Sequence, residues 1–326
     1  MHASFVVLAG PACAPSSPAR RRATWPPTVP ISTHHHATAL NPQPASLRPR
    51  LSACTLRHAL RRSLGTLLIG LVALVGWVGP SGAARAAPPP CAQSFLDHRA
   101  PQITNPKLTP KTRELCFSAF AVLHSGVTRT PLWSASHLTR DSVDAAKALS
   151  RVNAFHVESA LPADERSTLQ DFSRSGFDRG HLFASADADT AQAQQESFSL
   201  ANMVPQNPDN NRHLWEGIES AVRTLARSEG ELFVVSGPLF TGANLQQLNA
   251  RVLVPTQLYK VVYSPWRQAA AAYLVDNAPG QDYRVISVAQ AEQLAGINFF
   301  PTMQPAVKNT AMALPAPRSF GRRSRR

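Results

Sequence analysis

The sequence has no acidic residue in its first 86 positions and none in its last nine. Glycine is sparse, at 16 of 326 residues, which excludes a collagen repeat. Charged residues make up only 16% of the chain, which excludes a coiled coil. The longest apolar run, Leu64 to Val78, is broken only by Gly and Thr and spans 15 residues. A membrane-spanning helix needs roughly 20, so a multi-span architecture is excluded. Only four cysteines occur, and no methionine lies between Met1 and Met203. What is present is an ordinary apolar fraction of 44%. Apolar stretches recur between residues 115 and 300, enough for a sizeable core and incompatible with a fully disordered chain.

A net charge of +13 would by itself suggest a polyanionic partner. Its distribution changes that reading. Residues 1–86 carry nine Arg and no acid, and residues 318–326 carry five Arg and no acid. The remaining 87–317 hold 19 basic and 20 acidic residues, so the body of the protein is near neutral.

The N-terminal part reads as a leader. Arg57, Arg61 and Arg62 precede the apolar run, and Ala84-Arg85-Ala86 follows it. A basic region, a short apolar region and an A-x-A site are the parts of a secretory signal, with cleavage expected after Ala86. The assigned domains are therefore a signal peptide at 56–86, a globular domain at 87–302 and a flexible Pro/Arg-rich tail at 303–326. Residues 1–55, rich in Pro, Ala, Arg and Ser, are expected to be a start-site artefact or a disordered leader. Export to the periplasm or the extracellular space follows, with no stable membrane association after cleavage. The mature chain keeps two cysteines, Cys91 and Cys116, and an oxidising compartment favours a disulfide between them. Two unpaired thiols are the alternative.

Within the body, Leu115–Leu123 and Thr128–Trp133 read as an antiparallel hairpin around Ser125-Gly126. Residues 137–150 suit a helix, and 161–176 are polar and turn-rich. A longer helix is expected from Asn211 to about Arg227, striped by Leu214, Ile218, Val222 and Leu225. Leu232–Ser236 is a buried-type strand stopped by Gly237-Pro238. Strands follow at 258–263 and 270–276, and a short helix at Val288–Leu294. One α+β domain is the economical reading.

Candidate chemistry lies between Arg151 and Arg223. Asp178-Arg179-Gly180-His181 is followed by Ala201-Asn202-Met203-Val204-Pro205-Gln206. Next come Asn211, Trp215, Glu219 and Arg223, each four residues after the last. On a helix each such step turns the side chain by about 40°, so Asn211, Trp215 and Glu219 should share a face. Taken alone, the helix could be an amphipathic element with a core Trp.

The ordered set strongly resembles the DNA/RNA non-specific endonuclease family, whose pattern is D-R-G-H, then S-N-x-x-P-Q, then N-x-x-x-W-x-x-x-E-x-x-x-R. The likeness continues in Ser236–Phe240, Val254–Lys260 and Gly296–Pro301. It implies a central antiparallel β-sheet flanked by helices, with a ββα-metal (His-Me finger) active-site unit. It also implies metal-dependent hydrolysis of DNA and RNA without sequence preference, leaving 5′-phosphate ends. Mg²⁺ is the expected cation, with Mn²⁺ as a substitute.

By this resemblance Asn211 is the metal ligand, preferred to Asn210 by its offsets to Trp215 and Glu219. Glu219 holds metal-bound water. His181 suits the general base, because imidazole titrates near neutral pH. Arg179 and Arg223 match family positions at the scissile phosphate, and Arg151 is a third such Arg by a looser match. Asn202 and Gln206 are expected to bind substrate or to orient the site.

Two departures stand out. The family usually continues D-R-G-H-x-A-P, whereas Leu182-Phe183-Ala184-Ser185 stands here, and a Gly common before the helix Trp is replaced around His213. Two other functions fit the same scaffold: a nucleic-acid-binding protein without catalysis, and a metal phosphodiesterase for a non-nucleic substrate.

Overall fold

The computed structural model describes residues 91–318. The expected signal peptide, the segment before it and the Arg-rich end at 319–326 lie outside the described residues.

The main sheet begins with β1 (Thr112–Cys116), β2 (Phe120–Ser125) and β3 (Thr130–Thr139), followed by helix α1 (Arg140–Ala146). Two short strands, β4 (Asp178–His181) and β5 (Met203–Gln206), pair with each other, with helix α2 (Ala191–Ser197) between them. A π-helical turn at Asn210–Trp215 leads into helix α3 (Glu216–Glu229). Strands β6 (Glu231–Leu239), β7 (Gln257–Ser264), β8 (Ala269–Asp276) and β9 (Tyr283–Ile286) follow. Helices α4 (Val288–Ala295) and α5 (Pro305–Asn309) come last. The main sheet has the order β9-β8-β7-β6-β3-β2-β1, and each neighbouring pair is antiparallel.

Both faces of the sheet are covered, and β8 shows it by strict alternation. Ala271, Tyr273 and Val275 point into the core that also takes Trp215 of the π turn and Ile218 and Val222 of α3. Ala270, Ala272 and Leu274 point into the opposite core with Trp133, Phe299 and Phe300. Burial of each large apolar side chain stabilises the fold by roughly 1.5–3 kcal/mol. Helix α3 follows from the stripe Ile218, Val222, Leu225, all buried, and ends where Gly230 takes φ 98° and donates to the Ala226 carbonyl. No helix among the described residues is long and apolar enough to cross a membrane.

Several expectations need correction. The apolar run at 115–123 holds two strands, because the chain reverses at Phe117–Ala119, where the Phe117 N–H donates to the Phe120 carbonyl. Residues 137–139 are strand, since the ladder to β6 runs on to Thr139↔Glu231, and Thr139 then caps a helix of only seven residues. The turn-rich 161–176 contains a helical turn at Leu169–Phe172. Gly237-Pro238 does not end its strand. The ladder from β3 stops at Ser134↔Ser236, so Pro238 needs no donor on that side while it still pairs with Leu258 on β7. Gly237 is required there because the Tyr259 hydroxyl and the Leu132 carbonyl fill the place of a Cβ.

The ordered body also runs past 302. Lys308 pairs with Glu292 at 2.8 Å, Met312 is buried and donates its N–H to Ala270, and the Tyr273 hydroxyl donates to the Pro315 carbonyl. Residues 303–318 are therefore part of the packed domain rather than a flexible tail.

Candidate active site

Strands β4 and β5 and the helix after them form a ββα unit laid against the main sheet. The register pairs Gly180 with Val204 and His181 with Met203. A Cβ at residue 180 would collide with the Gln206 side chain, so the strand pair closes only around glycine. The indole N–H of Trp215 donates to the His181 carbonyl at 3.2 Å, which fastens the helix to the strand.

An open cavity of about 820 Å³ lies over this unit. It is lined by His181, Asn211, Glu219, Arg151, Arg179 and Arg223 together with Phe155, Asp178, Arg212 and Glu216. The six residues expected for base, metal, water and phosphate thus converge on one space. Trp215 does not share it. The π turn carries Trp215 inward, where it is 1% exposed in the core, while Asn211 and Glu219 face the cavity. One extra residue in a helical turn shifts the faces that regular four-residue spacing predicts.

The Asn211 amide has a defined orientation. A carboxylate only accepts, so the group facing Asp178 must be the amide nitrogen, which donates to Asp178 Oδ2 at 2.9 Å. That leaves Oδ1 as the free end of the amide. Asp178 is itself clamped by the Arg212 guanidinium, through bonds of 2.8 and 2.6 Å. The competitor Asn210 is spent on structure. It is 1% exposed, its Oδ1 accepts from Gln206, and its Nδ2 donates to the Asp276 carbonyl.

His181 lies against the Phe198 ring at 4.9 Å and the Phe155 ring at 5.7 Å. Its Nε2 is buried with no hydrogen-bond partner among the described residues. Burial, then the charges of Arg151 and Arg179, push its pKa down to about 3. The imidazole is therefore neutral, with one ring nitrogen unprotonated, across the physiological range. Glu219 is shifted the other way. Burial raises its carboxyl to about 7, against the opposing pull of Lys260 and Arg223.

The arginines are held by different means. Arg151 donates to Ser185 Oγ at 2.6 Å and to Asn153, and lies over the Phe198 ring. Arg179 stacks on Phe155 at 4.1 Å. Both have neutral partners and keep their full charge for an anion. Arg223 instead bonds Asp187 at 2.8 Å. The departure from the family pattern at 182–185 has a structural counterpart: Phe183 stacks on Phe120 at 4.4 Å, and Ser185 supplies the hydroxyl that holds Arg151.

Asn202 and Gln206 are not substrate contacts. Both are fully buried and neither lines the cavity. Asn202 is a fastener: its Nδ2 donates to the Phe183 and Ser197 carbonyls, and its Oδ1 accepts from the Phe183 N–H. Gln206 donates to Asn210 at 2.8 Å.

Two residues escaped the sequence reading. Asp178 was visible in its motif, but its partners lie 33 and 34 residues away. Lys260 lies on the apolar face of β7 between Leu258 and Val262, 2% exposed. Its ammonium donates to Ser236 Oγ at 2.6 Å, approaches the Leu182 carbonyl at 3.3 Å and sits 5.0 Å from the Trp215 ring. Burial lowers its pKa, and Glu219 works against that. A charged residue on the buried face of a strand is the signal that could have found it.

Apart from the His181 imidazole, the candidate ligands lining the cavity are oxygens: the Asn211 amide and the carboxylates of Asp178, Glu216 and Glu219. No group of three or more His, Cys, Asp or Glu suited to a metal occurs among the described residues. That set fits a hard divalent ion that keeps most of its own water and not a soft metal needing thiolate or several imidazoles.

Comparisons with known proteins agree with this architecture. The model of the DNA/RNA non-specific endonucleases matches residues 100–306. Nuclease C1 of Cunninghamella echinulata var. echinulata is 31% identical over 203 residues, 56% of this chain and 80% of that protein. A nuclease of Nostoc sp. is 31% identical over 224 residues, covering 64% and 80%. Mitochondrial endonuclease G of Bos taurus is 27% identical over 205 residues, covering 57% and 68%. Among solved structures, EndoG in its complex with EndoGI superposes with a TM-score of 0.53 at 26% identity, covering 60% of this chain and 88% of that one. The chain belongs to the DNA/RNA non-specific endonuclease family, whose members are metal-dependent endonucleases.

Proposed function

We propose that the protein is an exported, Mg²⁺-dependent endonuclease that hydrolyses both DNA and RNA without sequence specificity. The observation that carries the reading is the Asp178–Asn211 bond, which frees an amide oxygen in the cavity that also holds a neutral imidazole.

His181 accepts the proton of the attacking water, and burial keeps its imidazole in the basic form. Asn211 would hold the cation through Oδ1, and Glu219 would order water beside it. Arg179, Arg151 and Arg223 bind the phosphate oxygens and oppose the charge that develops on them. When bound, the cation supplies Lewis-acid stabilisation of the phosphate and of the leaving oxygen. Backbone contacts of this kind carry no base information, which suits cleavage blind to sequence. An oxygen donor set suits Mg²⁺, the proposed cation, and accommodates Mn²⁺ as a substitute.

Export rests on the leader sequence at 56–86 and accords with the Cys91–Cys116 disulfide. Peptide mapping of the secreted protein should find Ala87 as the first residue.

The test of function is supercoiled plasmid and structured RNA with Mg²⁺, beside His181→Ala and an EDTA control. Degradation of both polymers, lost in both controls, is expected. Intact polymers with cleavage of a small chromogenic diester would instead indicate a non-nucleic substrate.

A further inference from the structure

Beside the active-site cavity lies a second hollow, of about 420 Å³, between α1 and α3. The two share Arg151, Ser185, Ala186 and Arg223, so they adjoin across these four residues. Four cations line the second hollow, Lys147, Arg151, Arg223 and Arg227, and no carboxylate is among its lining residues. Its floor is apolar, from Val143, Ala146 and Leu149, and its wall carries the Ser220 and Thr224 hydroxyls.

We propose that this hollow is a second nucleotide subsite, which takes a phosphate and sugar of the substrate strand next to the scissile bond. The proposal rests on the nuclease reading above and deepens it.

The geometry suits a strand leaving the catalytic cavity. Arg223 and Arg227 are one helical turn apart, about 6 Å along the axis, on the scale of one backbone step. Arg223 faces both spaces, so a strand passing it meets Arg227 and Lys147 next. The outer pair is held in place by one acid behind it. Asp144 Oδ1 accepts from Lys147 at 3.0 Å and from Arg227 at 2.7 Å. One carboxylate positions two cations, so a net positive charge remains for a phosphate. Apolar floor and cationic rim together match a nucleotide, whose sugar and base offer apolar surface beside a charged diester. The contact is to backbone, so it adds affinity without sequence preference.

The mature protein is assayed with Mg²⁺ on single-stranded oligonucleotides of increasing length, starting from a dinucleotide. Wild-type kcat/KM should rise with length and then level off. In Lys147→Ala/Arg227→Ala the rise should be lost, with kcat/KM on long strands down about tenfold through KM, while dinucleotide cleavage and saturating kcat stay as in wild type. The slope of log affinity against log salt should shrink by about one per lost phosphate contact. Thr224→Glu, which leaves Lys147, Arg227 and Asp144 in the chain and adds a carboxylate to the hollow, should have the same effect. Lys147→Arg/Arg227→Lys should behave as wild type. A wild-type length dependence and salt slope in Thr224→Glu and in the alanine pair overturn the subsite alone. A wild-type protein inert on every strand overturns the nuclease reading together with the subsite.

Discussion

Asp178 and Asn211, on different arms of the ββα unit, are joined by a 2.9 Å hydrogen bond that fixes which end of the Asn amide looks into the cavity. The bond makes Asp178 a positioning residue for the metal ligand. Asp178→Asn can donate where the carboxylate could only accept, so the Asn211 amide loses its fixed sense. Metal affinity should fall about 10- to 100-fold, read by titrating activity with Mg²⁺ or by calorimetry with Mn²⁺. Arg212→Ala, which only loosens the clamp on Asp178, should cost less. Equal metal affinity in Asp178→Asn and wild type would refute the role.

His181 gives a pH signature of stability. Its folded pKa is about 3 and its ordinary value 6.5. Between those values the unfolded chain binds a proton that the folded chain does not. Stability should therefore fall as pH drops from 6.5 towards 3. Glu219 works oppositely: its carboxyl is raised to about 7 in the fold, so it removes stability as pH rises from 4.5 towards 7. Urea denaturation of the metal-free protein isolates the first effect by comparison with His181→Gln. The variant should lose less stability on acidification; parallel curves would contradict the buried neutral imidazole.

Lys260 should tune Glu219 from behind. Lys260→Met keeps the volume and removes the cation that opposes the upward shift of the carboxyl. Glu219 then needs a higher pH to ionise. The pH–kcat/KM profile should move to the alkaline side, with the deficit large near pH 7 and small at the alkaline end. An unshifted profile with uniformly lower activity would reduce Lys260 to a packing residue.

Asn202→Ala should destabilise without a change in KM. Three hydrogen bonds tie Asn202 to Phe183 and Ser197, in a buried place that no substrate reaches. Each buried group left unpaired costs about 1–3 kcal/mol. A denaturation midpoint well below wild type, with unchanged KM, is the expected pair of results.

The Cys91–Cys116 bond closes a loop across 25 positions and should contribute about 3 kcal/mol by restricting the unfolded chain. Cys91→Ser should show that loss in denaturant, and dithiothreitol should reproduce it in the wild type. If the same variant is inactive as expressed, a reduced chain inside the producing cell is harmless to that cell's nucleic acid. Full activity would remove that safeguard from consideration.

The residues that touch the cavity were largely legible through the resemblance of three ordered motifs to the endonuclease family, since spacing alone left the helix open to an amphipathic reading. What was not legible depends on contacts distant in sequence. Asp178 reads as part of a motif until Arg212 and Asn211 are seen to converge on it. Asn202 and Gln206 came from the family pattern, which does not tell a residue that binds substrate from one that braces the site; both are fully buried and brace it. Lys260 hides on a strand whose alternation is otherwise apolar. The strand through Gly237-Pro238 was misread because local turn chemistry ignores which ladder has already ended. The packed segment 303–318 was misread because Pro- and Ala-rich composition says nothing of a sheet face waiting to be covered.

The π turn at Asn210–Trp215 has a consequence for inheritance. It contains one residue more than a regular α-helix would hold over the same rise. Deleting a single codon there would close the π turn to an α turn and shift Asn211 relative to Asp178, while every residue of the site kept its identity. The catalytic centre therefore depends on the length of this segment as strictly as on its letters. Lineages should tolerate substitutions here sooner than any gap.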